Sequence, residues 1–311
     1  MTSPFVSDRA PVCPPDLLAL ALSYGAPRVA VARAGAPLPM QAAFQGVQEN
    51  LMTPVFVGEP DAIHAEAAKL DWDISAYPLH PTTGEEEAGA VAARLCGQGE
   101  ADVLMKGQLH SDVFLRTAID REAGLRTGKR LVHQFIIYPP GGGRPMAISD
   151  AAVNTHPTVE TRKLILHEMA TMLRLLGTDR PKIAILSATE TPIPALPSSM
   201  EARELADWAA EALPEADVSG PLAFDLIVSS ESVAIKGLHD DPVAGHADGI
   251  VVPDVVSGNA LFKAFVYLGG GCAAGVITGA AVPILLTSRA DPAAARLASL
   301  AIANVLCRLP L

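Results

Sequence analysis

Short aliphatic runs alternate with amphipathic stretches along most of the chain. The runs at 28–32, 53–57, 101–105 and 182–187 are rich in valine, isoleucine, leucine and alanine. Such runs predict strands buried on both faces, because a parallel sheet covered by helices hides both sides of each strand. The pattern therefore predicts an α/β fold with a mainly parallel sheet.

The amphipathic stretches predict the helices between these strands. The clearest has apolar residues at i, i+4, i+7, i+8 and i+11, namely Ile165, Met169, Met172, Leu173 and Leu176. Gly177 follows, and glycine is common just past a helix C-terminus. Further helices are expected at 38–51, 61–70, 85–95 and 293–306.

Four other segments carry specific expectations. Strands at 131–138 and 145–149 are expected to flank a Pro-Pro-Gly-Gly-Gly turn. The apolar run at 225–229 predicts another strand, as does the run at 249–252. Ser198 and Glu201 have the spacing of a capping box and predict the start of a helix.

Composition and charge narrow the class of protein. The chain has 311 residues, of which 50% are hydrophobic and 18% charged, so it can bury a core as one large or two ordinary domains. The formal charge is 23 − 34 = −11, which argues against nucleic acid or anionic lipid as partner. The four cysteines are far apart and form no CxxC pair, which is typical of a reducing cytoplasm and predicts neither disulfides nor a zinc site.

Two segments bear on membrane targeting. The N-terminal stretch carries Asp8 and Arg9 and no long apolar run, so no signal peptide is expected. Residues 264–288 carry no charge over 25 positions, which is long enough to span a bilayer. Five glycines and Pro283 interrupt this segment, so we expect buried loop, helix and strand rather than a membrane span.

Ligands of open parallel sheets bind beyond the carboxyl ends of the strands, and polar residues stand at four such places. Lys106 follows one strand, and Asp150 and Asn154 follow another. Gly258 and Asn259 lie in the third place. Each could meet a ligand, although a solvated strand end, a capping residue or a turn would explain each equally well.

The fourth place is the segment Thr287–Pro292. Asp291 and Pro292 fit the N-cap and first position of a helix. Arg289 ends the uncharged segment at a strand-to-helix junction, where a guanidinium and free helical N–H groups can converge on a phosphate or carboxylate.

The sequence contains no motif for several other classes of binding or catalytic site. The sequence contains no GxGxxG, GxxxxGK[ST] or GxSxG motif. His110, His133 and His156 have no metal-ligand spacing and are expected to be surface groups or satisfied core groups. The residues themselves therefore predict an α/β enzyme that binds a small anionic ligand.

At these four places the chain resembles the phosphate acetyltransferase and phosphate butyryltransferase family. The resemblance rests on segments in the family's order and spacing, from about residue 101 onward, namely ADVLMKG with Leu115-Arg116, SDAAVNTHPT, GPLAFD, DPVAGHADGIVVPDVVSGN, LGGGCAAGVITG and LLTSRAD. It implies two α/β domains around a cleft, with the fold of isocitrate and isopropylmalate dehydrogenases. The implied domains are 1–146 with 287–311, and 147–286.

The resemblance also implies a reaction: acyl-CoA and phosphate give acyl phosphate and CoA, with no metal, no bound cofactor and no covalent intermediate. Ser288 and Arg289 match the family's catalytic pair, the serine for the carbonyl oxygen and the arginine for phosphate. Arg116 matches a second anion contact. Asp291 is the nearest carboxylate and the candidate base, although acetyl-specific members place their aspartate farther on.

The expected protein is thus a cytoplasmic homodimeric acyltransferase. Lys106, Asp150, Asn154, Gly258 and Asn259 are its further candidates for binding phosphate and coenzyme A. Acetyl and butyryl both remain open as the acyl group. The alternatives are an NAD(P)-dependent dehydrogenase on the same fold and a non-catalytic acyl-CoA-binding protein.

Overall fold

The computed structural model describes residues 3–286 and 291–307. These form two compact units, each an α/β arrangement with mostly parallel strands. We name the units by their place in the sequence: the central unit is Val132–Ala273 with Met1–Ala10, and the outer unit is Pro11–Leu131 with Ala274–Leu311. The predicted fold class, α/β with mainly parallel strands, is confirmed.

The described strands and helices follow in chain order. The strands are β1 (Arg28–Ala32), β2 (Thr53–Gly58), β3 (Leu79–Pro81), β4 (Val103–Lys106), β5 (Val132–Tyr138), β6 (Met146–Ser149), β7 (Lys182–Leu186), β8 (Asp217–Leu222), β9 (Gly249–Val251), β10 (Cys272–Thr278) and β11 (Ile284–Leu285). The helices are α1 (Pro15–Leu22), α2 (Pro37–Gln48), α3 (Pro60–Lys69), α4 (Gly84–Gly97), α5 (Ser111–Ala118), α6 (Val159–Leu175), α7 (Pro197–Ala212), α8 (Phe224–Val228), α9 (Ser230–Lys236), α10 (Val255–Tyr267) and α11 (Ala293–Leu306).

The outer unit orders its strands β3-β2-β1-β4-β11-β10. All neighbours are parallel except β10 and β11, which are antiparallel. The central strands β1 and β4 are aliphatic and almost wholly buried, as their continuous apolar runs predict. Helix α11 lies where the sequence predicts it. Most of its residues are buried, and most of the buried ones are alanine or another aliphatic residue.

The central unit orders its strands β5-β6-β9-β7-β8. Strands β5 and β6 are antiparallel, with Phe135 opposite Ile148, and the Pro-Pro-Gly-Gly-Gly segment joins them as predicted. Strands β6, β9, β7 and β8 are parallel. In a parallel set all the carboxyl ends lie at one edge, and β6 and β9 bring Ser149 and Val251 side by side there.

Two local expectations are wrong. The run at 225–229 forms helix α8 rather than a strand, and β8 takes the place beside β7. A five-residue apolar run fits a buried strand and a short buried helix equally well, and here only Leu226 and Ile227 are buried. The pair Ser198 and Glu201 does not cap a helix. Helix α7 begins at Pro197 with Leu196 as its N-cap, so Ser198 already lies inside the helix.

The uncharged segment 264–288 contributes the end of α10 and the strands β10 and β11, as far as it is described. This agrees with the prediction of buried helix and strand. Among the helices of 3–286 and 291–307, none combines the length and the apolar character needed to cross a membrane.

Candidate active site

The loop after β6 is organised by the carboxylate of Asp150, which is fully buried. Oδ1 accepts hydrogen bonds from the backbone N–H groups of Ala152 and Val153, both at 2.9 Å. Oδ2 accepts from the backbone N–H of His133 at 3.0 Å and from Nδ2 of Asn154 at 2.7 Å. Four donors therefore hold this carboxylate in place, as a buried charge requires.

The first turns of α10 pack directly on this loop. Asp254 caps the helix by accepting a hydrogen bond from the backbone N–H of Ser257 at 2.9 Å. A Cβ at Gly258 would lie 2.5 Å from the carbonyl oxygen of Asp150, so only glycine permits the helix to approach this closely. Asn259 Nδ2 donates to the carbonyl oxygen of Ala151 at 3.1 Å.

The structure thus brings together four residues that the sequence singled out. Asp150, Asn154, Gly258 and Asn259 form one group, which we call the Asp150 cluster. Its members come from the segments that follow β6 and β9, two strands that neighbour each other in the sheet. Their contacts described above are to protein groups, and binding of phosphate or coenzyme A by them stays a prediction.

Sequence reasoning missed His133, which was expected to be a surface group or a satisfied core group. Its side chain is 1% exposed, and within 3–286 and 291–307 its Nδ1 has no hydrogen-bond partner. Burial lowers the pKa of His133 to about 4, although the charge of Asp150 pulls it upward. The signal in the sequence is its place in the apolar run of β5, a strand that is buried on both faces.

This buried histidine predicts a loss of stability in acid. An unfolded histidine has a pKa of about 6.5, so between pH 6.5 and 4 the unfolded chain binds a proton that the folded chain does not. Stability contributed by the neutral ring is complete above pH 6.5 and falls by up to about 3 kcal/mol as the pH falls to 4. Urea unfolding of the protein and of His133→Phe at pH 7, 5.5 and 4.5 measures this difference. Equal pH dependence in the two proteins would contradict it.

In the outer unit, β4 ends at Lys106, whose Cα lies opposite that of Ala32 in β1. The next residue, Gly107, donates its backbone N–H to the carbonyl oxygen of Ala32 at 2.9 Å. A Cβ at Gly107 would lie 2.3 Å from that oxygen, so the loop after β4 needs glycine to cross the end of β1. Lys106 is thereby placed at the edge formed by the carboxyl ends of the parallel strands, and its binding of a ligand stays a prediction.

A charged network, not predicted from the sequence, surrounds the ends of β1 and β2. The guanidinium of Arg33 lies 3.3 Å from carboxylate oxygens of both Glu59 and Glu85. His110 donates its backbone N–H to Glu85 at 2.9 Å, and its Nδ1 lies 2.8 Å from the same carboxylate. These hydrogen bonds from His110 hold the pKa of Glu85 below its ordinary value.

Arg116 lies on α5 and forms an ion pair with Glu86 of α4. Both side chains are mostly exposed, so the pair contributes little stability and is open to exchange with another anion. The predicted role of Arg116 as an anion contact is compatible with this position and stays a prediction.

The fourth predicted place lies partly outside the described residues. Leu285 of β11 pairs with Met105 of β4, and the chain continues toward Ser288 and Arg289, which are not described. Asp291 is described, and its carbonyl oxygen accepts a hydrogen bond from Arg296 Nη1 at 2.5 Å. Pro292, not Asp291, is the N-cap of α11, so the expected cap is wrong by one residue.

The sequence predicts no metal site. Over 3–286 and 291–307, no group of three or more histidine, cysteine, aspartate or glutamate side chains could hold a metal ion. The prediction that the reaction needs no metal and no bound cofactor stays a prediction.

Comparison with known proteins decides the family. Residues 81–304 match the family described as phosphate acetyl/butaryl transferase. The chain belongs to this family. The resemblance seen in the sequence is therefore confirmed, and with it the prediction of an acyltransferase.

Individual members are similar over most of their length. A phosphate acetyltransferase of Rhizobium meliloti is 38% identical over 262 residues, which cover 84% of this chain and 83% of that protein. A phosphate butyryltransferase of Clostridium acetobutylicum is 30% identical, covering 89% and 92%. The crystal structure of a branched-chain phosphotransacylase from Enterococcus faecalis superposes with a TM-score of 0.79 at 29% identity, covering 90% of this chain and 99% of that one.

Proposed function

We propose that this member of the phosphate acetyl/butaryl transferase family transfers a short acyl group between coenzyme A and inorganic phosphate. The observation that carries the proposal is the family match over residues 81–304, a range that holds each candidate site residue. The acetyltransferase and butyryltransferase relatives both support a short acyl chain.

The reaction proceeds by direct attack in a ternary complex. In the direction of acyl-CoA synthesis, the CoA thiolate attacks the acyl carbon of the acyl phosphate, the carbon–oxygen bond to phosphate breaks, and phosphate leaves. Arg289 holds the phosphate and Ser288 donates a hydrogen bond to the carbonyl oxygen as it gains charge. Arg116 and Lys106 supply further positive charge, and Asp291 accepts the thiol proton.

The family resemblance supports several further features of the proposal. They are the division into domains 1–146 with 287–311 and 147–286, the two-domain cleft and the fold of isocitrate and isopropylmalate dehydrogenases. A homodimer and a cytoplasmic location belong to the same expectation. The dehydrogenase alternative is not carried forward, because the family is one of acyltransferases.

The decisive experiment measures phosphate-dependent release of CoA from acetyl-CoA and butyryl-CoA side by side. We expect turnover with at least one thioester and none when phosphate is omitted. The ratio of the two kcat/KM values then identifies the preferred acyl group.

The omission control separates phosphorolysis from simple hydrolysis of the thioester. Folded protein that binds acetyl-CoA but releases no CoA from either thioester would contradict the proposal and favour the acyl-CoA-binding alternative. Folding is checked by circular dichroism on the same sample.

A further inference from the structure

Arg33, which directly follows β1, has a backbone conformation that few side chains adopt. Its φ angle is 54°, in the left-handed region. Among the described residues, the other non-glycine residues with a positive φ are Asn50 and Asp71, two types that tolerate it. A long side chain stays in this conformation only where the surrounding contacts hold it there, and such positions cluster at functional sites. The contacts of Arg33 therefore indicate what it does.

These contacts converge on the loop that follows β4. The backbone N–H of Gln108 donates to the carbonyl oxygen of Arg33 at 3.0 Å, and Nη1 of Arg33 donates to the carbonyl oxygen of Gln108 at 3.2 Å. A Cβ at Gly107 would lie 2.6 Å from the carbonyl oxygen of Arg33, so the loop crosses Arg33 at a distance that only glycine allows. Arg33 thus holds both polar backbone groups of Gln108.

The guanidinium also joins this loop to the helices around it. It lies 3.3 Å from carboxylate oxygens of Glu59, the N-cap residue of α3, and of Glu85, in the first turn of α4. Glu85 in turn accepts a hydrogen bond from the backbone N–H of His110, the N-cap residue of α5. One side chain therefore links the segments that follow β1, β2 and β4 with the beginning of α4.

Lys106 stands at the start of the loop that Arg33 holds. Its Cα lies opposite that of Ala32, so Lys106 and Arg33 belong to neighbouring strand ends of one sheet. The direction of a side chain at a strand end depends on the backbone that follows, and Arg33 fixes that backbone two residues after Lys106. A guanidinium suits this task because its planar fork binds several oxygens in a set geometry.

We propose that Arg33 is a positioning residue, which fixes the loop after β4 so that Lys106 binds a phosphate group of a substrate. This inference rests on the proposed function, in which Lys106 contributes positive charge. Arg33, the loop and Lys106 all belong to the outer unit. The phosphate group is that of inorganic phosphate or one of those of coenzyme A, and binding of each is measured separately.

Three replacements separate positioning from charge. Arg33→Asn removes the guanidinium and keeps a residue type that tolerates a positive φ, so the hydrogen bond from the backbone of Gln108 survives. Arg33→Lys keeps the charge without the planar fork. Arg28→Gln is the matched control, because Arg28 is a partly exposed arginine at the opposite end of β1, paired with Asp102.

Isothermal titration calorimetry gives the Kd of each protein for inorganic phosphate and for coenzyme A. We expect Arg33→Asn to weaken binding of at least one ligand about tenfold, the effect of losing one charge-assisted hydrogen bond. Arg33→Lys should remain at least threefold weaker than the unmodified protein, and Arg28→Gln should stay within twofold. Unchanged binding of both ligands in Arg33→Asn would overturn the proposal. Full binding in Arg33→Lys would also overturn it, since Arg33 would then act by charge alone.

A double replacement shows whether Arg33 acts through Lys106. In protein that already carries Lys106→Ala, we expect Arg33→Asn to weaken binding by less than a further twofold, because the side chain that it positions is gone. An undiminished further loss would show that Arg33 acts independently of Lys106. Circular dichroism melts verify folding, and Arg33→Lys carries the same comparison if Arg33→Asn does not fold.

Binding and turnover together distinguish this role of Arg33 from the proposed function. Phosphate-dependent turnover without coupling between Arg33 and Lys106 would overturn the role of Arg33 and leave the proposed function standing. Coupled binding in a protein that releases no CoA from either thioester would support the role of Arg33 while the proposed function fails. Unmodified protein that binds neither ligand would overturn both.

Discussion

Replacing Arg289 with alanine is expected to lower kcat/KM by about 10²–10³-fold, the loss typical when a group that stabilises transition-state charge is removed. The guanidinium would hold a phosphate that carries the charge of the leaving group. Charge-assisted hydrogen bonds of this kind are roughly twice as strong as neutral ones. The rate is measured as phosphate-dependent CoA release from the preferred thioester.

Asp291→Ala is the informative comparison for Arg289→Ala. A thiol with a pKa of about 8.5 costs roughly 2 kcal/mol to ionise at pH 7, so losing the base costs at most about 30-fold there. In the direction of acyl-CoA synthesis this defect shrinks as the pH rises toward 8.5, because the thiol then ionises by itself. The hydrogen bond from Arg296 survives the replacement, since it uses the carbonyl oxygen of Asp291.

The control for lost positive charge is Arg203→Ala. Arg203 is half-exposed on α7, 3.9 Å from Asp207, and the proposal gives it no role. It should retain full activity. Losses of similar size in Arg289→Ala and Asp291→Ala would refute the ranking of anion binding above proton removal.

Asp150→Ala is expected to destabilise the protein by about 3–5 kcal/mol and to abolish most activity. The replacement leaves three backbone N–H groups and the Asn154 amide without their acceptor in a buried loop. Each unpaired donor costs about 1–3 kcal/mol, reduced where the loop relaxes toward water. Urea unfolding at pH 7 gives the stability, and kcat is measured at a temperature where the variant remains folded.

Asp254→Ala is the matched control, because Asp254 is an aspartate at the same sheet edge. It accepts hydrogen bonds from the backbone and the hydroxyl of Ser257 and so caps α10. Losing a helix cap costs about 1 kcal/mol. If Asp150→Ala were no more destabilising than Asp254→Ala, the organising role of the Asp150 carboxylate would be wrong.

Much of the fold follows from local patterns. The run at 28–32 predicts strand β1 and the stretch 293–306 predicts helix α11, both with the bounds that the structure has. The stretch 293–306 is long enough to favour a helix, and two valines closely following Pro27 favour a strand at 28–32. The run at 225–229 is just as short but forms helix α8, and strand β8 takes the place beside β7.

Part of the candidate site could likewise be predicted from the sequence, and part depends on tertiary packing. Asp150, Asn154, Gly258 and Asn259 are visible in the sequence because they follow predicted strands, and parallel topology places such residues at one edge. Which of their atoms face each other depends on how α10 packs on the loop after β6. That packing joins residues more than 100 positions apart, as in the hydrogen bond from Asn259 to the carbonyl oxygen of Ala151.

By itself, then, the sequence determined the α/β class, the family and the strand ends where chemistry is expected, because periodicity and motif spacing are local properties of the chain. Only the tertiary structure decided that four protein donors bind the carboxylate of Asp150, while Nδ1 of His133 is buried with no hydrogen-bond partner among the described residues. Burial and hydrogen-bond partners arise from segments far apart in the chain. For that reason no pattern around residue 133 distinguishes a histidine with two paired ring nitrogens from one with an unpaired ring nitrogen.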